Sequence, residues 1–369
     1  MTSFKKYLLL SLLVALINVV LVLAFFFPRY NHTDTPQYIS AIKNISGDES
    51  AEISPYRILK PLPILIGAFL TNFTAAENTL IIQNVIFYFL FAVLIYLLVY
   101  KLYQSEKQAF YGAVLGITAY PALAYGLASL TDLSGWFFFL LSVLLSINFL
   151  RNPSLKTAAL SGLAAGFGML FKESVAAAPV FFASLVFIAA NLSFKEKIKY
   201  ILTFGSAFLI FPAINSIVIY NLFSYSYLDT FRAVGVGGKG VEGFYMYTFP
   251  RILIEIGRVF LVGWIFILLG IKKEFAFWRK ERILILLSFI LSSLSVFFWC
   301  SPHNRMLFIG FPILVLLGSF GLLRNFKNAK VNLLSESGLL FLYVAVNYVI
   351  LGLLLNYGIY FWRFGDLSY

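Results

Sequence analysis

Residues that could perform chemistry occur in five separate segments of the sequence, each bordering an apolar run. The first segment, residues 28–77, contains Asp34 within TDTPQYIS and, one helical turn later, Tyr38. The other candidates are Arg57, Lys60, Asp132, Lys172, Glu173, Glu255, Arg258, His303 and Arg305. A carboxylate can accept a proton from an attacking hydroxyl group, and Arg or Lys side chains can bind a phosphate. These residue types suit proton transfer beside a bound anion.

Each candidate also has a purely structural interpretation. Asp34 stands before Thr35 and Pro36, and a polar residue followed by proline is a common helix start. Asp132 also stands where a helix would begin, and Lys172 could mark the end of one. These three residues can therefore be explained as helix caps and ends without any role in chemistry.

Glu255 and Arg258 lie inside a predicted apolar span, three residues apart and on the same helix face. A charge at the centre of a membrane helix costs about 2.5–3.5 kcal/mol. The two side chains could form a structural ion pair or line a path through the membrane. The two histidines, His32 and His303, are too few and too scattered to indicate a metal site.

The composition identifies the class of protein that must position these residues. The 369-residue chain is 61% hydrophobic and only 12% charged, and apolar runs of about 20 residues recur along it. The runs lack the alternation of barrel strands, so they predict helices. A single cysteine excludes an internal disulfide framework and a cysteine metal cluster. The net charge of +12 is typical of basic cytoplasmic loops, and no nucleic-acid partner is expected.

The apolar runs predict an all-α polytopic integral membrane protein with about eleven transmembrane helices. We assign the spans to residues 7–27, 78–100, 108–127, 132–150, 156–171, 174–192, 199–222, 251–271, 283–300, 305–323 and 336–361. The segment 56–73 is apolar but short, and Pro61 and Pro63 interrupt its start. It is interpreted as re-entrant or interfacial, because a twelfth span there would break the charge pattern of all later loops.

Most of the 28 basic residues fall in alternate connections, which predicts a cytoplasmic N-terminus and an extracytoplasmic C-terminus. The first span lacks a small-residue cleavage site and is interpreted as uncleaved. Residues 28–77 then form a long first outer loop. The glycine-rich loop 223–250 is also outside and could be a mobile lid. Residues 1–369 are expected to form one integral membrane domain with no separate soluble domain.

Five motifs, taken in order, resemble a known superfamily. They are TDTPQYISAIKNI, YRILKPLPILIGAFL, LTDLSGWFFFLLSVLL, GLAAGFGMLFKESVAAAPVFF and NRMLFIGFPILVLLGSFGL. The series is similar to the polytopic GT-C glycosyltransferases that use polyprenyl-phosphate-linked sugars, including the protein mannosyltransferase-like and lipid A aminoarabinose transferase-like families. The resemblance covers residues 7 to 323. Many relatives carry a paired acidic residue or a large soluble outer domain. No such domain is expected from this sequence, so the acceptor stays undefined.

The resemblance implies a GT-C fold and a catalytic Asp in the first outer loop, which is Asp34 here. A polyprenyl-phosphate donor, usually of a hexose, would transfer its sugar to a glycan, lipid or protein acceptor at the extracytoplasmic face. One base and one attack predict inversion at the anomeric carbon. Phosphate contacts are expected from Arg57, Lys60, Lys172, Arg258 and Arg305, and secondary candidates are Tyr38, Asp132, Glu173, Glu255 and His303. A divalent metal could assist, although the sequence has no evident ligand cluster.

Three other functions stay open from the sequence. A transporter would use Glu255 and Arg258 in a substrate or proton path, but the two halves of the chain lack the symmetry of inverted repeats. A lipid-linked glycan polymerase or ligase would carry its functional loop late in the chain, as at 223–250. A non-enzymatic membrane assembly factor is the third.

Overall fold

The computed structural model describes residues 3–26, 34–189, 192–234, 249–276, 280–295, 304–326 and 335–357. All regular structure within these ranges is helical. The helices of the first half are α1 (Ser3–Leu21), α2 (Thr35–Ile45), α3 (Pro55–Ile58), α4 (Pro61–Leu70), α5 (Ala76–Tyr103), α6 (Glu106–Ile117), α7 (Tyr120–Ala124), α8 (Asp132–Arg151), α9 (Leu155–Met169) and α10 (Ala177–Ile188). Those of the second half are α11 (Phe194–Phe223), α12 (Tyr227–Val234), α13 (Phe249–Phe260), α14 (Gly263–Ala276), α15 (Lys280–Leu294), α16 (Asn304–Leu307), α17 (Phe311–Ile313), α18 (Ser319–Phe326) and α19 (Glu336–Tyr357).

Six described helices are long and apolar enough to cross a membrane, or seven if one bent pair counts as a span. They lie at Ser3–Phe26, Ala76–Tyr103, Asp132–Arg151, Phe194–Phe223, Arg305–Asn325 and Glu336–Leu353. The chain is thus an all-α, multi-pass integral membrane protein, as predicted. The count of eleven is not confirmed, because several predicted spans coincide with shorter or broken helices.

The predicted span 108–127 is broken after Ile117, and α7 starts at Tyr120. The backbone groups around the break have side-chain partners. The Tyr88 hydroxyl donates to the carbonyl oxygen of Ile117 (2.5 Å), and the Tyr343 hydroxyl donates to that of Leu115 (2.9 Å). The amide of Tyr120 donates to the Asn347 side chain (2.7 Å). A helix can break inside a membrane protein where such contacts replace the lost backbone bonds.

The predicted span 251–271 is not one straight helix. Helices α13 and α14 meet at an angle of 90°, and Leu261 between them has φ +49°. That left-handed conformation is uncommon for a side-chain-bearing residue and turns the chain sharply. As a result α13 packs against α16 instead of continuing the line of α14.

The segment 56–73 contains the short helices α3 and α4. The ten residues of α4 span about 15 Å at 1.5 Å per residue, roughly half the hydrocarbon core of a bilayer. This length agrees with the interpretation of the segment as one that does not cross the membrane. Its buried face, which includes Ile64, packs on Tyr38, Ala41 and Ile42 of α2.

Aromatic packing beneath the predicted outer face fixes three helices together. The Trp136 ring on α8 meets the Phe308 ring at a centroid distance of 4.7 Å, and Phe91 on α5 meets Phe311 on α17 at 4.9 Å. All four side chains are buried. Because Trp136 lies one turn after Asp132, and Phe308 three residues after Arg305, this packing aligns two charged residues described below.

Helices α9 and α11 approach so closely that a side chain on α9 would collide with the backbone. A Cβ on Gly166 would lie 2.2 Å from the Phe208 carbonyl oxygen, and one on Gly162 would lie 2.3 Å from that of Phe204. Small residues spaced by four allow this contact between membrane helices.

Gly166→Val should therefore destabilise the folded protein by about 1–3 kcal/mol, because the neighbouring backbone must shift. Thermal unfolding in detergent measures the loss. Gly205→Ala on α11 is the matched control, since nothing lies within 4 Å of a Cβ there. An unchanged unfolding temperature for Gly166→Val would contradict the close packing.

Candidate active site

Asp34 lies between two guanidinium groups. Its Oδ1 accepts from Arg57 Nη2 at 2.7 Å, and its Oδ2 accepts from Arg305 Nη2 at 3.1 Å. Arg57 also donates from Nε to the Gln37 side chain, at 2.8 Å. Because both oxygens of one carboxylate are engaged by different segments of the chain, Asp34 joins the start of α2 to α3 and α16.

Arg305 extends this network to a second carboxylate. Its Nε lies 3.3 Å from Asp132 Oδ1, and the same oxygen lies 3.4 Å from Lys172 Nζ. Asp132 and Lys172 are each only about 1% exposed. The Arg305 guanidinium therefore bridges two acidic residues that are far apart in sequence.

A third carboxylate, Glu173, completes the network. Lys60 Nζ lies 2.9 Å from Glu173 Oε2, and the Tyr56 hydroxyl donates to Glu173 Oε1 at 3.0 Å. Lys60 Nζ also lies 3.9 Å from the centroid of the Tyr56 ring, and the Arg57 guanidinium lies 4.8 Å from it. Burial raises the pKa of Glu173, but Lys60 and Lys172 together bring it well below its ordinary value.

Tyr38 is fully buried beside these cations. Its hydroxyl lies within hydrogen-bond distance of the Thr131 hydroxyl, at 3.0 Å, and the Arg57 guanidinium lies 5.0 Å from its ring centroid. Burial raises the pKa of Tyr38, but the positive charges of Lys60, Lys172 and Arg57 bring it below its ordinary value. Tyr38 therefore lies in a strongly positive part of the network.

The structural interpretations of the acidic residues as helix caps are wrong. Asp34 precedes α2, yet its side chain makes no capping hydrogen bond. Asp132 is the first residue of α8, and Thr131 before it does not cap the helix through its side chain either. Lys172 lies at a helix end, as expected, but its ammonium group is buried against Asp132. In the folded chain these charged side chains therefore pair with residues of other segments and not with groups of their own helix.

The structure brings together eight of the candidates named from the sequence. They are Asp34, Tyr38, Arg57, Lys60, Asp132, Lys172, Glu173 and Arg305. In this network four cations face three carboxylates, which leaves one net positive charge among the described side chains. Of the three carboxylates, the Asp34 side chain is the most exposed, at 19%, against 1% for Asp132 and 10% for Glu173. Asp34 is therefore the carboxylate that an incoming hydroxyl could reach most readily.

Two further candidates form a separate pair. Arg258 Nη1 donates to Glu255 Oε1 at 2.5 Å within α13, which agrees with the predicted ion pair. The helix packs against α16, which carries Arg305. His303, and residues 235–248 of the predicted lid, lie outside the described residues. The lid stays a prediction.

The three carboxylates of the network do not form a metal site. Among the described residues no group of three His, Cys, Asp or Glu side chains could hold a metal ion. Each carboxylate instead faces an Arg or Lys side chain. The described residues of the network thus do not fit a bound divalent cation, and the chemistry below uses none.

Two residues of the network were missed from the sequence. Tyr56 contacts Glu173, Arg57 and Lys60, and Gln37 accepts from Arg57. Both are uncharged and lie beside predicted site residues. Only their proximity to Arg57 and Asp34 in the sequence could have indicated them.

A family model described as dolichyl-phosphate-mannose-protein mannosyltransferase matches residues 61–216. The fold is similar to the crystal structure of ArnT from Cupriavidus metallidurans bound to undecaprenyl phosphate, with a TM-score of 0.64 and 12% identity over 96% of this chain and 73% of that chain. No curated protein sequence matches significantly.

The fold is also similar to the oligosaccharyltransferase of Archaeoglobus fulgidus in its apo form. The TM-score is 0.58 and the identity 15%, over 96% of this chain and 55% of that chain. A similar fold is thus shared with these two solved structures at low sequence identity. The chain has the fold of the GT-C membrane glycosyltransferases, which confirms the resemblance inferred from its motifs.

Proposed function

We propose that this protein transfers a sugar, a hexose, from a polyprenyl-phosphate donor to an acceptor hydroxyl, with Asp34 as the general base. One observation carries the proposal: the most exposed carboxylate of a buried charge network contacts both Arg57 and Arg305. A base beside fixed cations suits the displacement of a phosphate by a hydroxyl. The family match and the undecaprenyl phosphate bound to ArnT support a lipid-linked donor.

The reaction needs one bond exchange and one proton transfer. The acceptor oxygen attacks the anomeric carbon, and the bond from that carbon to the phosphate oxygen breaks. The acceptor proton passes to Asp34, and the bonding electrons leave with the phosphate. Because the attack occurs once and from the face opposite the phosphate, the anomeric configuration inverts.

The charge of the network suits a donor with a single phosphate. A lipid-phosphate sugar is a phosphodiester with one negative charge. The described side chains of the charge network together carry one net positive charge. As the sugar leaves, the phosphate gains a second negative charge. Arg57, Lys60, Lys172 and Arg305 lie where they could stabilise that charge.

An apolar cavity of about 390 Å³ supports the lipid part of the proposal. It is lined by Phe260, Trp264, Ile290 and Leu294, and it reaches Leu307, two residues after Arg305. Between Trp264 and Glu274, both in its lining, α14 rises about 15 Å. The cavity therefore extends from the helix that carries Arg305 along the membrane-spanning helices, as an isoprenoid tail attached to the phosphate would require.

Filling this cavity should discriminate against long donors. Ile290→Trp is expected to raise the KM of a long-chain polyprenyl-phosphate donor about tenfold and to leave the KM of a ten-carbon donor nearly unchanged, since only the long tail needs the cavity. Leu291→Trp is the matched control: both residues are 44% exposed, but Leu291 faces a different groove beside Val180. Equal effects on both donors, or equal effects of both variants, would contradict this location of the tail.

The function is tested by sugar transfer in isolated membranes. Labelled polyprenyl-phosphate hexoses are offered to membranes that contain the protein and to matched membranes without it, and nucleotide-linked hexoses serve as control donors. We expect label to reach an acceptor from the lipid donor only, with inverted anomeric configuration by NMR. Sealed vesicles of the two orientations then test the predicted extracytoplasmic face. No transfer from any lipid donor, together with protein-dependent uptake of a solute, would favour the transporter alternative.

A further inference from the structure

The segment between α7 and α8 is buried but has no regular structure. Leu127, Ala128 and Leu130 are at most 1% exposed, and Ser129 is 7% exposed. Backbone carbonyls in such a position can bond neither to water nor to the N–H groups of a helix. Each carbonyl that stays without a hydrogen bond costs free energy. The partners that these carbonyls find therefore determine the path of the segment.

Three consecutive carbonyl oxygens of the segment accept hydrogen bonds from side chains. The Asn84 amide nitrogen donates to Ala128 at 2.5 Å and to Leu130 at 2.8 Å. The Thr35 hydroxyl donates to Ser129, between them, at 3.1 Å. Asn84 on α5 and Thr35 at the start of α2 thus hold the segment from two sides.

These hydrogen bonds connect to the charge network at two residues, Asp34 and Asp132. Thr35 follows Asp34 directly, and the held segment leads through Thr131 into Asp132. A second contact, between the Tyr38 and Thr131 hydroxyls, joins the same two elements one turn further along α2. The distance between Asp34 and Asp132, across which Arg305 lies, therefore depends on this set of neutral hydrogen bonds.

Asn84 is costly where it lies unless these bonds are made. It is 2% exposed, in a helix whose other buried residues are mainly apolar. Burying an amide that lacks hydrogen-bond partners is unfavourable, because it loses its bonds to water. A leucine would fill the position without that penalty, so the amide indicates a requirement for two donors at this point.

We infer that Asn84 and Thr35 are positioning residues that set the spacing of Asp34 and Asp132 for sugar transfer. The inference rests on the proposed function for its effect on the reaction. Neither residue contacts the phosphate-binding cations directly in the described structure, so both act through the backbone of residues 128–130. A reacting group displaced by about 1 Å can cost on the order of 100-fold in rate.

The test uses Asn84→Leu, which fills a similar volume and removes both donors, and Thr35→Val, which keeps the shape and removes the hydroxyl. We expect kcat to fall about 10- to 100-fold in each, with the donor KM within about threefold of wild type. Hydrogen exchange of residues 125–133, measured by mass spectrometry on the full chain, should become faster in both variants.

Asn78→Leu is the matched control, because Asn78 lies exposed on the same helix and, among the described residues, its side chain donates to Thr74. Thr35→Ser keeps the hydroxyl and should restore most of kcat. Wild-type kcat and wild-type exchange in both main variants would overturn the inference, and so would a lower unfolding temperature with unchanged kcat. If the wild-type protein transfers no sugar, the proposed function fails, and the exchange rates still decide whether the two side chains hold the segment.

Discussion

Asp34→Asn is expected to lower kcat about 100- to 10,000-fold, the usual contribution of a general base, while donor binding is maintained or strengthened. The net charge of the network determines whether donor binding becomes stronger or weaker. Removing one carboxylate raises the net charge of the described network from one to two positive charges, which favours a phosphodiester. A loss of rate with tighter binding separates a base from a residue that merely holds Arg57 and Arg305.

The measurement is transfer from a labelled lipid donor at equal protein concentration, together with donor binding in detergent. Asp48→Asn is the matched control, since Asp48 lies exposed in the same predicted outer loop and its carboxylate accepts hydrogen bonds from Ser50. Wild-type transfer by Asp34→Asn would refute Asp34 as the base and direct the search to Asp132 or Glu173.

Arg305→Met is expected to have the second large effect, on both the donor and the fold. It leaves Asp34 and Asp132 without the cation that lies between them, and breaking a buried ion pair from one side costs about 3–5 kcal/mol. The donor KM should rise at least about tenfold, because a phosphate-binding guanidinium is lost. Thermal unfolding and donor titration measure the two effects separately.

Two further variants distinguish these effects. Arg305→Met combined with Asp132→Asn removes a carboxylate that has lost one of its two cationic partners, and it should recover part of the stability but not the donor affinity. Arg324→Met, in the same candidate span but near its other end, should change neither. If the double variant also recovered donor affinity, Arg305 would have a structural role only.

Much of the fold could be predicted because an apolar run of about 20 residues has few alternatives to a membrane helix. The breaks could not be predicted in the same way. The interruption after Ile117 depends on Tyr88, Tyr343 and Asn347, and two of these lie more than 200 residues further along the chain. The residues that neighbour Ile117 in the sequence do not indicate these distant partners. The sequence alone therefore predicts a continuous span at residues 108–127.

The candidate active site was also only partly predictable from the sequence. Charged residues in an apolar chain are costly enough to attract notice, and Asp34, Arg57 and Arg305 were identified for that reason. Their pairing was not predictable, because Asp34 also fits a helix cap in its local sequence. Asn84 was overlooked because a neutral amide in a long apolar helix is a weaker signal than a charge, although the cost of burying it follows the same physics.

The bridge formed by Arg305 also bears on how the protein is made. Asp34 and Arg305 are 271 residues apart, so ribosomes and the insertion machinery deliver the acidic partner long before the basic one. Until the last third of the chain is inserted, Asp34 has only Arg57 and Asp132 has only Lys172 as described cationic partners. Completion of the charge network therefore coincides with the late arrival of α16. A chain interrupted before α16 would have three cations for the three carboxylates, so its network would lack the net positive charge that suits a phosphodiester.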